Sequence, residues 1–311
     1  MESRSEFVFN FAWLKGESMK SRTLVFTRPG IALVALFLSV ASSLLSGAEI
    51  KVEDIVARHL DSIGTAEARS AVKTRLVQGT SRFKIALTGG GDLQGTSALL
   101  SEGRKAVVMI KLGNGDYRGE QFVTDGDKVY VAATASSHRR SSFGEFVHSQ
   151  DQIVHEGLMG GTLTTAWALL NLEANKPKLS YDGLKKINGG EAYEIGYHSK
   201  KKDDLTIHLY FDKDTYRHVI TTYAVTLASG LAPTSGVTDI TQTAKQRETR
   251  YTIEEQFNDF KTAEGLTLPS KYVIHFTQEL QNGTTEVYEW EIAADEFSNN
   301  VGLDPRNFQV K

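Results

Sequence analysis

Residues 141–172 read SSFGEFVHSQDQIVHEGLMGGTLTTAWALLNL, a strongly apolar, helix-periodic block in a chain that otherwise alternates like strands. Ser142, with Glu145 three residues on, has the form of a capping box and predicts a helix start. Phe143, Phe146, Val147, Ile153, Val154 and Leu158 recur at helical spacing and share one face. Gly160-Gly161 interrupts the run. Leu163, Ala166, Trp167 and Leu170 then form a second helical stripe, with Pro177 just beyond it. A helical pair with an apolar face must bury that face, and the flanking strands are the only large partner. The block is either plain core or a lid over a sheet that can also hold something else.

Before the block, Val52, Ile55, Val56, Leu60 and Ile63 mark an amphipathic helix closed by Gly64, and Thr65 can cap a short second helix to about Val72. From Lys73 the period becomes two. Val77, Phe83, Ile85 and Leu87 share one side of a strand that ends at Gly89-Gly90-Gly91. Further strands are expected over 93–100, 106–112, 117–123 and 128–133, the last two joined by an Asp125-Gly126 hairpin turn. After Pro177, strands follow over 179–187, 193–197, 205–211 and 216–227, then a long polar loop over 229–246. Strands opening at Tyr251, Tyr272 and Tyr288 complete the pattern, with Asn282-Gly283 the strongest hairpin signal. Short turns imply antiparallel neighbours, and alternation implies one buried face. A single sheet of about ten or eleven strands must curl. The expected fold is mainly β within the α+β class: an unclosed half-barrel with a helical lid at about 142–172.

The chain has 311 residues, no cysteine, 40% hydrophobic residues and a formal charge of −3, so disulfides are excluded and nothing marks a nucleic-acid binder. Lys20, Arg22 and Arg28, the apolar run 31–40 (IALVALFLSV) and Ser46-Gly47-Ala48 have the order of a cleaved secretory signal, with a mature start at Glu49. An uncleaved anchor is the other reading, although the run is short against the ~20 residues a span needs. Met19 is the expected start, with the first eighteen residues an upstream extension. Loss of residues 1–48 removes five basic and three acidic residues and takes the charge to −5. No cysteine follows the apolar run, so the chain is not expected to be a lipoprotein itself. The expected address is the periplasm, and residues 49–311 are expected to form one domain.

No catalytic signature emerges. His155-Glu156 begins like a zincin motif, but Met159 stands where the second ligand belongs. There is no G-x-S-x-G and no phosphate-binding glycine loop; GNGDYRG at 113–119 opens no helix. His208 and His218 are candidates for a metal pair on adjacent strands, with surface or cross-strand histidines the default. Asp203-Asp204 and Asp212/Asp214 read as turn residues ahead of any carboxylate pair. His138-Arg139-Arg140 is a solvated loop or a contact for lipid phosphate.

Two helices with HLDSIG closing the first, followed by TRLVQGTSRFKI, resemble the LolA-like family of outer-membrane lipoprotein-sorting proteins. YFDKDTYRHVITTY resembles that family's acidic-turn hairpin, and GLTLPSKYVIHFTQELQNGTTEVYEWEI with FSNNVGLDPRNFQV resembles its C-terminal hairpin and closing run. The resemblance covers nearly all of 49–311. It implies a non-enzymatic carrier, without cofactor or metal, whose concave face takes the acyl chains of a lipoprotein or other lipid. It also implies an inner-membrane exporter, an outer-membrane acceptor and a monomeric state. Wider relatives act as envelope sensors, which is the alternative function. The lid residues expected to fill the groove are Val154, Leu158, Met159, Leu163, Trp167 and Leu170, hinged at Gly160 and Gly161. The sheet residues expected beneath them are Phe83, Ile85, Val108, Ile110, Ile207, Leu209, Tyr272, Ile274, Phe276 and Trp290. Arg75 and Arg82 are candidates for the lid-gating arginine. The loop at 229–246 is extra to the compact carrier, which leaves the cargo open.

Overall fold

The computed structural model describes residues 50–310 except 87–90, 114, 136–138, 202–203 and 228–247. The signal-like segment, Leu87, Gly89-Gly90, His138, Asp203 and the loop at 229–246 therefore lie outside the described residues. Two helices lead: α1 (Val52–Ile63) and α2 (Ala66–Ala71), the latter capped by Thr65, whose hydroxyl accepts from the Ala68 N–H at 3.2 Å. Then come β1 (Thr74–Ile85), β2 (Leu93–Glu102), β3 (Lys105–Leu112), β4 (Gly119–Thr124) and β5 (Val129–Ala133). The apolar block holds α3 (Ser142–Ser149), α4 (Gln152–His155) and α5 (Leu172–Asn175). Seven strands follow: β6 (Lys178–Ile187), β7 (Gly190–His198), β8 (Thr206–Asp212), β9 (His218–Leu227), β10 (Thr249–Ala263), β11 (Leu266–Glu279) and β12 (Thr285–Asn299).

All twelve form one antiparallel sheet in the order β5-β4-β3-β2-β1-β12-β11-β10-β9-β8-β7-β6. Among the described residues the count is one above the expected range. The order explains the block. The chain builds outward from β1 to one edge at β5, then restarts at the opposite edge, β6, and works back until β12 pairs with β1. Residues 134–177 must cross the whole sheet, and their apolar side chains select its apolar face.

That face is strongly curved. Phe143 of α3 lies 5.3 Å, centroid to centroid, from Phe122 on β4 and 5.6 Å from Phe276 on β11. The two sheet rings are thus at most about 11 Å apart, whereas five strand spacings laid flat would separate them by ~24 Å. Among the described residues the sheet wraps the block without closing, since β5 and β6 are not paired to each other. Every expected groove residue except Leu170 joins or packs against one apolar cluster spanning α1, the block and the inner face. The hairpin signals also hold: Asp125 Oδ1 accepts from the Lys128 N–H at 2.8 Å, and Asp212 Oδ1 from the Thr215 N–H at 2.8 Å, as turn residues do. No helix among the described residues is long and apolar enough to cross a membrane.

The helical pair expected in the block is corrected. Ser141, not Ser142, caps α3, its hydroxyl accepting from the Gly144 N–H at 3.2 Å, and Glu145 pairs with Arg140 instead of closing a capping box. The helix stops at Ser149 and resumes for only four residues in α4. The second stripe is not an α-helix. It holds two 3-10 turns, Gly161–Leu163 and Ala168–Leu170, with extended backbone at Thr164. Trp167 is anchored to α1 by its indole, and its φ/ψ of −42°/126° breaks helical continuity.

Phe143 is the ring that ties the two halves of the curl together. Phe143→Ala is expected to lower stability by about 3–5 kcal/mol, read as a lower chemical-denaturation midpoint, with Phe143→Leu costing clearly less.

Candidate functional site

The block lies on the inner face mostly through apolar contact, but buried polar groups set its position: the Ser101 hydroxyl accepts from the Thr165 N–H at 2.8 Å, and five ionisable side chains do the rest. Sequence reasoning missed four of the five. The first group, Arg75, is the arginine that reaches the block: its Nη1 donates to the Thr162 carbonyl at 2.8 Å and its Nε to Asn299 Oδ1 at 3.0 Å. Arg82 is excluded from that role, because it points outward and pairs with Asp92. Burial lowers the Arg75 guanidinium to about 10, with Glu264 opposing the shift, so it stays charged at neutral pH with only neutral partners in hydrogen-bond contact.

Glu255 is the second group. It is fully buried on β10 between Ile253 and Phe257, and its carboxylate accepts from the Gly160 N–H at 2.9 Å, the Tyr223 hydroxyl at 2.5 Å and the Tyr272 hydroxyl. Burial pushes its pKa up, and these three donors pull it back. An acidic residue in an inward register position was a readable signal. His59 is the third, on the Ile55–His59–Ile63 stripe of α1. Its Nδ1 lies 3.1 Å from the Tyr216 carbonyl and its Nε2 3.0 Å from the Trp167 indole nitrogen. Since a carbonyl only accepts and an indole only donates, the ring is neutral with its proton on Nδ1. Burial lowers its pKa to about 4. Trp167 also stacks on His218, at 4.6 Å and 23°.

Glu120 and Glu156 complete the set. Glu120, raised by burial, accepts from the Ser141 N–H at 2.7 Å and the Ser141 hydroxyl at 2.9 Å, so it holds the start of α3. Glu156 accepts from the Tyr197 hydroxyl at 2.5 Å and from Ser199, which ties the block to β7. The glutamate of the zincin-like pair thus has a structural partner set. Gly160 and Gly161 have φ of +76° and +49° and lie close against the sheet: a Cβ on Gly161 would meet Phe257 and His218 at about 3 Å.

Beside the block a cavity of about 780 Å³ opens at the end covered by α1 and α2. Leu60, Ile63, Val72, Leu170 and Leu266 give it apolar walls, and Arg69, Lys73, Arg75 and Lys105 make its rim basic, with Glu102 the one acidic lining residue. Leu170 was expected to fill the groove; it is 38% exposed and lines this mouth instead. A second cavity of about 310 Å³, lined by Phe83, Ile85, Tyr117, Phe143, Tyr288 and Trp290 with Ser141 and Ser142, opens near the start of α3. The His208–His218 metal pair is corrected: His218 is buried against Trp167, while His208 alternates with the core residues Ile207 and Leu209 and faces the other side of the sheet. Of the basic triplet, Arg140 is engaged by the Val131 carbonyl at 3.2 Å, and Arg139 is exposed.

No protein-family model matches the sequence, and no curated protein matches it. Several solved structures are similar to the chain. A LolA superfamily protein from Nitrosomonas europaea is similar at 12% identity, with 84% of this chain and 99% of that one covered and a TM-score of 0.45. A DUF1329 family protein from Desulfovibrio piger is similar at 11% identity, with 83% and 97% covered and a TM-score of 0.43. An outer membrane lipoprotein-sorting domain from Vibrio parahaemolyticus is similar at 12% identity, with 81% and 97% covered and a TM-score of 0.35. At these values the likenesses add nothing to the strand order and registers described above.

Because the folded-state pKa of His59 lies below its unfolded value of 6.5, its contribution to stability is full above 6.5 and lost as pH falls through about 4. Protonation would set two N–H donors face to face at Trp167. Acidification from pH 7 to pH 4 is therefore expected to shift tryptophan emission, with the shift absent in Trp167→Phe; emission unchanged over that range would contradict the assigned role.

Proposed function

We propose that the region from residue 49 onward is a periplasmic carrier, delivered by a cleaved signal, that takes acyl chains of lipoproteins or other lipids on its inner face for transfer toward the outer membrane. One observation carries the reading: the apolar face of an unclosed sheet is covered by the chain's own connecting segment, and a basic-rimmed apolar cavity opens beside it. The acyl chain enters at the 780 Å³ cavity and displaces part of the block, and Arg75 with its basic neighbours faces the polar end of the guest.

The energies suit exchange. A sixteen-carbon chain gains ~0.8 kcal/mol per buried CH₂, or about 12 kcal/mol gross. Val154, Leu158, Met159, Leu163 and Trp167 are buried in the closed form and contribute roughly 10 kcal/mol gross, at ~1.5–3 kcal/mol each. Neither side wins by much, so a guest binds without becoming trapped. Gly160 and Gly161 serve as the pivot, held by Glu255 while the flanking turns move.

The test is native mass spectrometry with lipid extraction of protein from its own envelope, together with uptake of a fluorescent fatty acid. Co-purified acyl species and saturable uptake are expected. Trp167→Phe leaves His59 Nε2 buried without its donor in the closed form, a loss of ~1–3 kcal/mol, and should tighten fatty-acid binding about five- to hundredfold. Absence of both acyl species and uptake contradicts the carrier, and a co-purified protein partner in their place would favour the sensor alternative.

A further inference from the structure

On the outer face of the sheet, strands β6, β7 and β8 bring Asp182, Glu194 and His208 together, with one ligand-type atom from each within 4.8 Å of the others. We propose that this cluster is a binding site for a first-row divalent cation of the zinc class, separate from the acyl face.

Three features of the backbone build it. Cross-strand register sets Ser180, Gly196 and His208 in one row and Glu194 opposite Tyr210 in the next. Gly196, in the centre, has no side chain, so its neighbours lean over it: a Cβ there would lie 2.5 Å from Ser180 Oγ and 2.6 Å from Asp182 Oδ2. Asp182 is the extra residue of a β-bulge, for pairing shifts between Tyr181 and Gly183, and Gly183 takes φ +105° to allow it. Two residues on from Ser180, Asp182 stays on the outer face, and the bulge sets the following residue, Gly183, opposite Glu194, so Asp182 lies beside the Glu194–Gly196 row.

The two histidine–carboxylate distances favour an ion over a direct hydrogen bond. His208 Nδ1 is 3.5 Å from Asp182 Oδ2 and 3.5 Å from Glu194 Oε1, is shielded from solvent and has no hydrogen-bond partner. N–H···O bonds fall at ~2.7–3.2 Å. Two ligand arms of ~2.0–2.2 Å at a tetrahedral angle place donor atoms ~3.4 Å apart. A neutral imidazole and two carboxylates balance a divalent charge, and one nitrogen with two oxygens suits zinc better than calcium, which takes six or more oxygens. The Tyr210 hydroxyl donates to Glu194 Oε1 at 2.7 Å, the outer contact that orients a ligating carboxylate. Lys185 pairs with the other oxygen, Oε2, at 3.2 Å; its side chain is half exposed and free to swing away. An ion here would pin the edge strand β6 through its bulge to β7 and β8.

The test is calorimetric titration of Zn²⁺ into chelator-stripped, untagged protein, with competition by a chromophoric chelator. One equivalent per chain is expected, together with a higher melting temperature at saturating Zn²⁺. His208→Gln and Asp182→Asn should each weaken binding at least about tenfold, the loss that even outer contacts produce, while leaving the melting temperature of the metal-free protein nearly unchanged. Gly196→Ala should weaken it too, by displacing the Asp182 carboxylate. Absence of saturable Zn²⁺ binding, or binding retained in both His208→Gln and Asp182→Asn, would overturn the site. Fatty-acid uptake is read separately, so failure here leaves the carrier reading standing.

Discussion

Everything in this molecule follows from one crossing. The first five strands end at one edge of the sheet and the next seven begin at the other, so a single connector must traverse the full width. A connector of ordinary loop composition would cross on the wet face. This one carries Phe143, Phe146, Ile153, Val154, Leu158, Leu163 and Trp167, and it crosses on the apolar face and becomes core. The sheet curls around it because two faces of apolar side chains must meet within van der Waals reach. The interior is thus made of strands, α1 and a segment that the strands do not hydrogen-bond into their own ladder.

Such a segment needs its position specified, since apolar contact alone is permissive. Arg75, Glu255, His59, Glu120 and Glu156 provide this, each offering a buried polar atom to a backbone or side-chain group across the seam. A buried group with a lost partner is costly, on the order of 1–3 kcal/mol, so the anchored arrangement is distinct from its neighbours in energy. The same property makes release a stepwise event. Glu255 and His59 also pull stability in opposite directions with pH. Glu255, raised by burial, favours the folded state as pH falls, whereas His59 favours it as pH rises.

Most of the architecture was legible in the alternation of apolar residues and in the turn chemistry at Asp125-Gly126, Asp212 and Asn282-Gly283. The apolar block was legible as a buried element, yet its backbone was not. Leu163, Ala166, Trp167 and Leu170 have helical spacing, but Trp167 reaches a partner on α1 that only the folded chain supplies, and the backbone yields to that bond. The shift of the cap from Ser142 to Ser141 has a similar cause: Glu120, far away in sequence, takes both the N–H and the hydroxyl of Ser141. Glu255 and Glu120 could have been flagged as acidic residues in inward positions. Glu156 carried no such mark. The relation of His208 to His218 was misjudged because turn residues and a shift in register between β8 and β9 separate them, which puts the two rings on opposite faces.

The central claim is that an acyl chain and the connecting segment compete for one face of the sheet. A photoactivatable fatty acid bound to the protein, irradiated and mapped by peptide mass spectrometry, addresses it directly. Adducts are expected on inward residues of the central strands, such as Ile253, Phe257, Ile274 and Phe276, and on the segment between α3 and α5. Adducts confined to the outer face, or to the rim of the cavity with none beneath the segment, would contradict it.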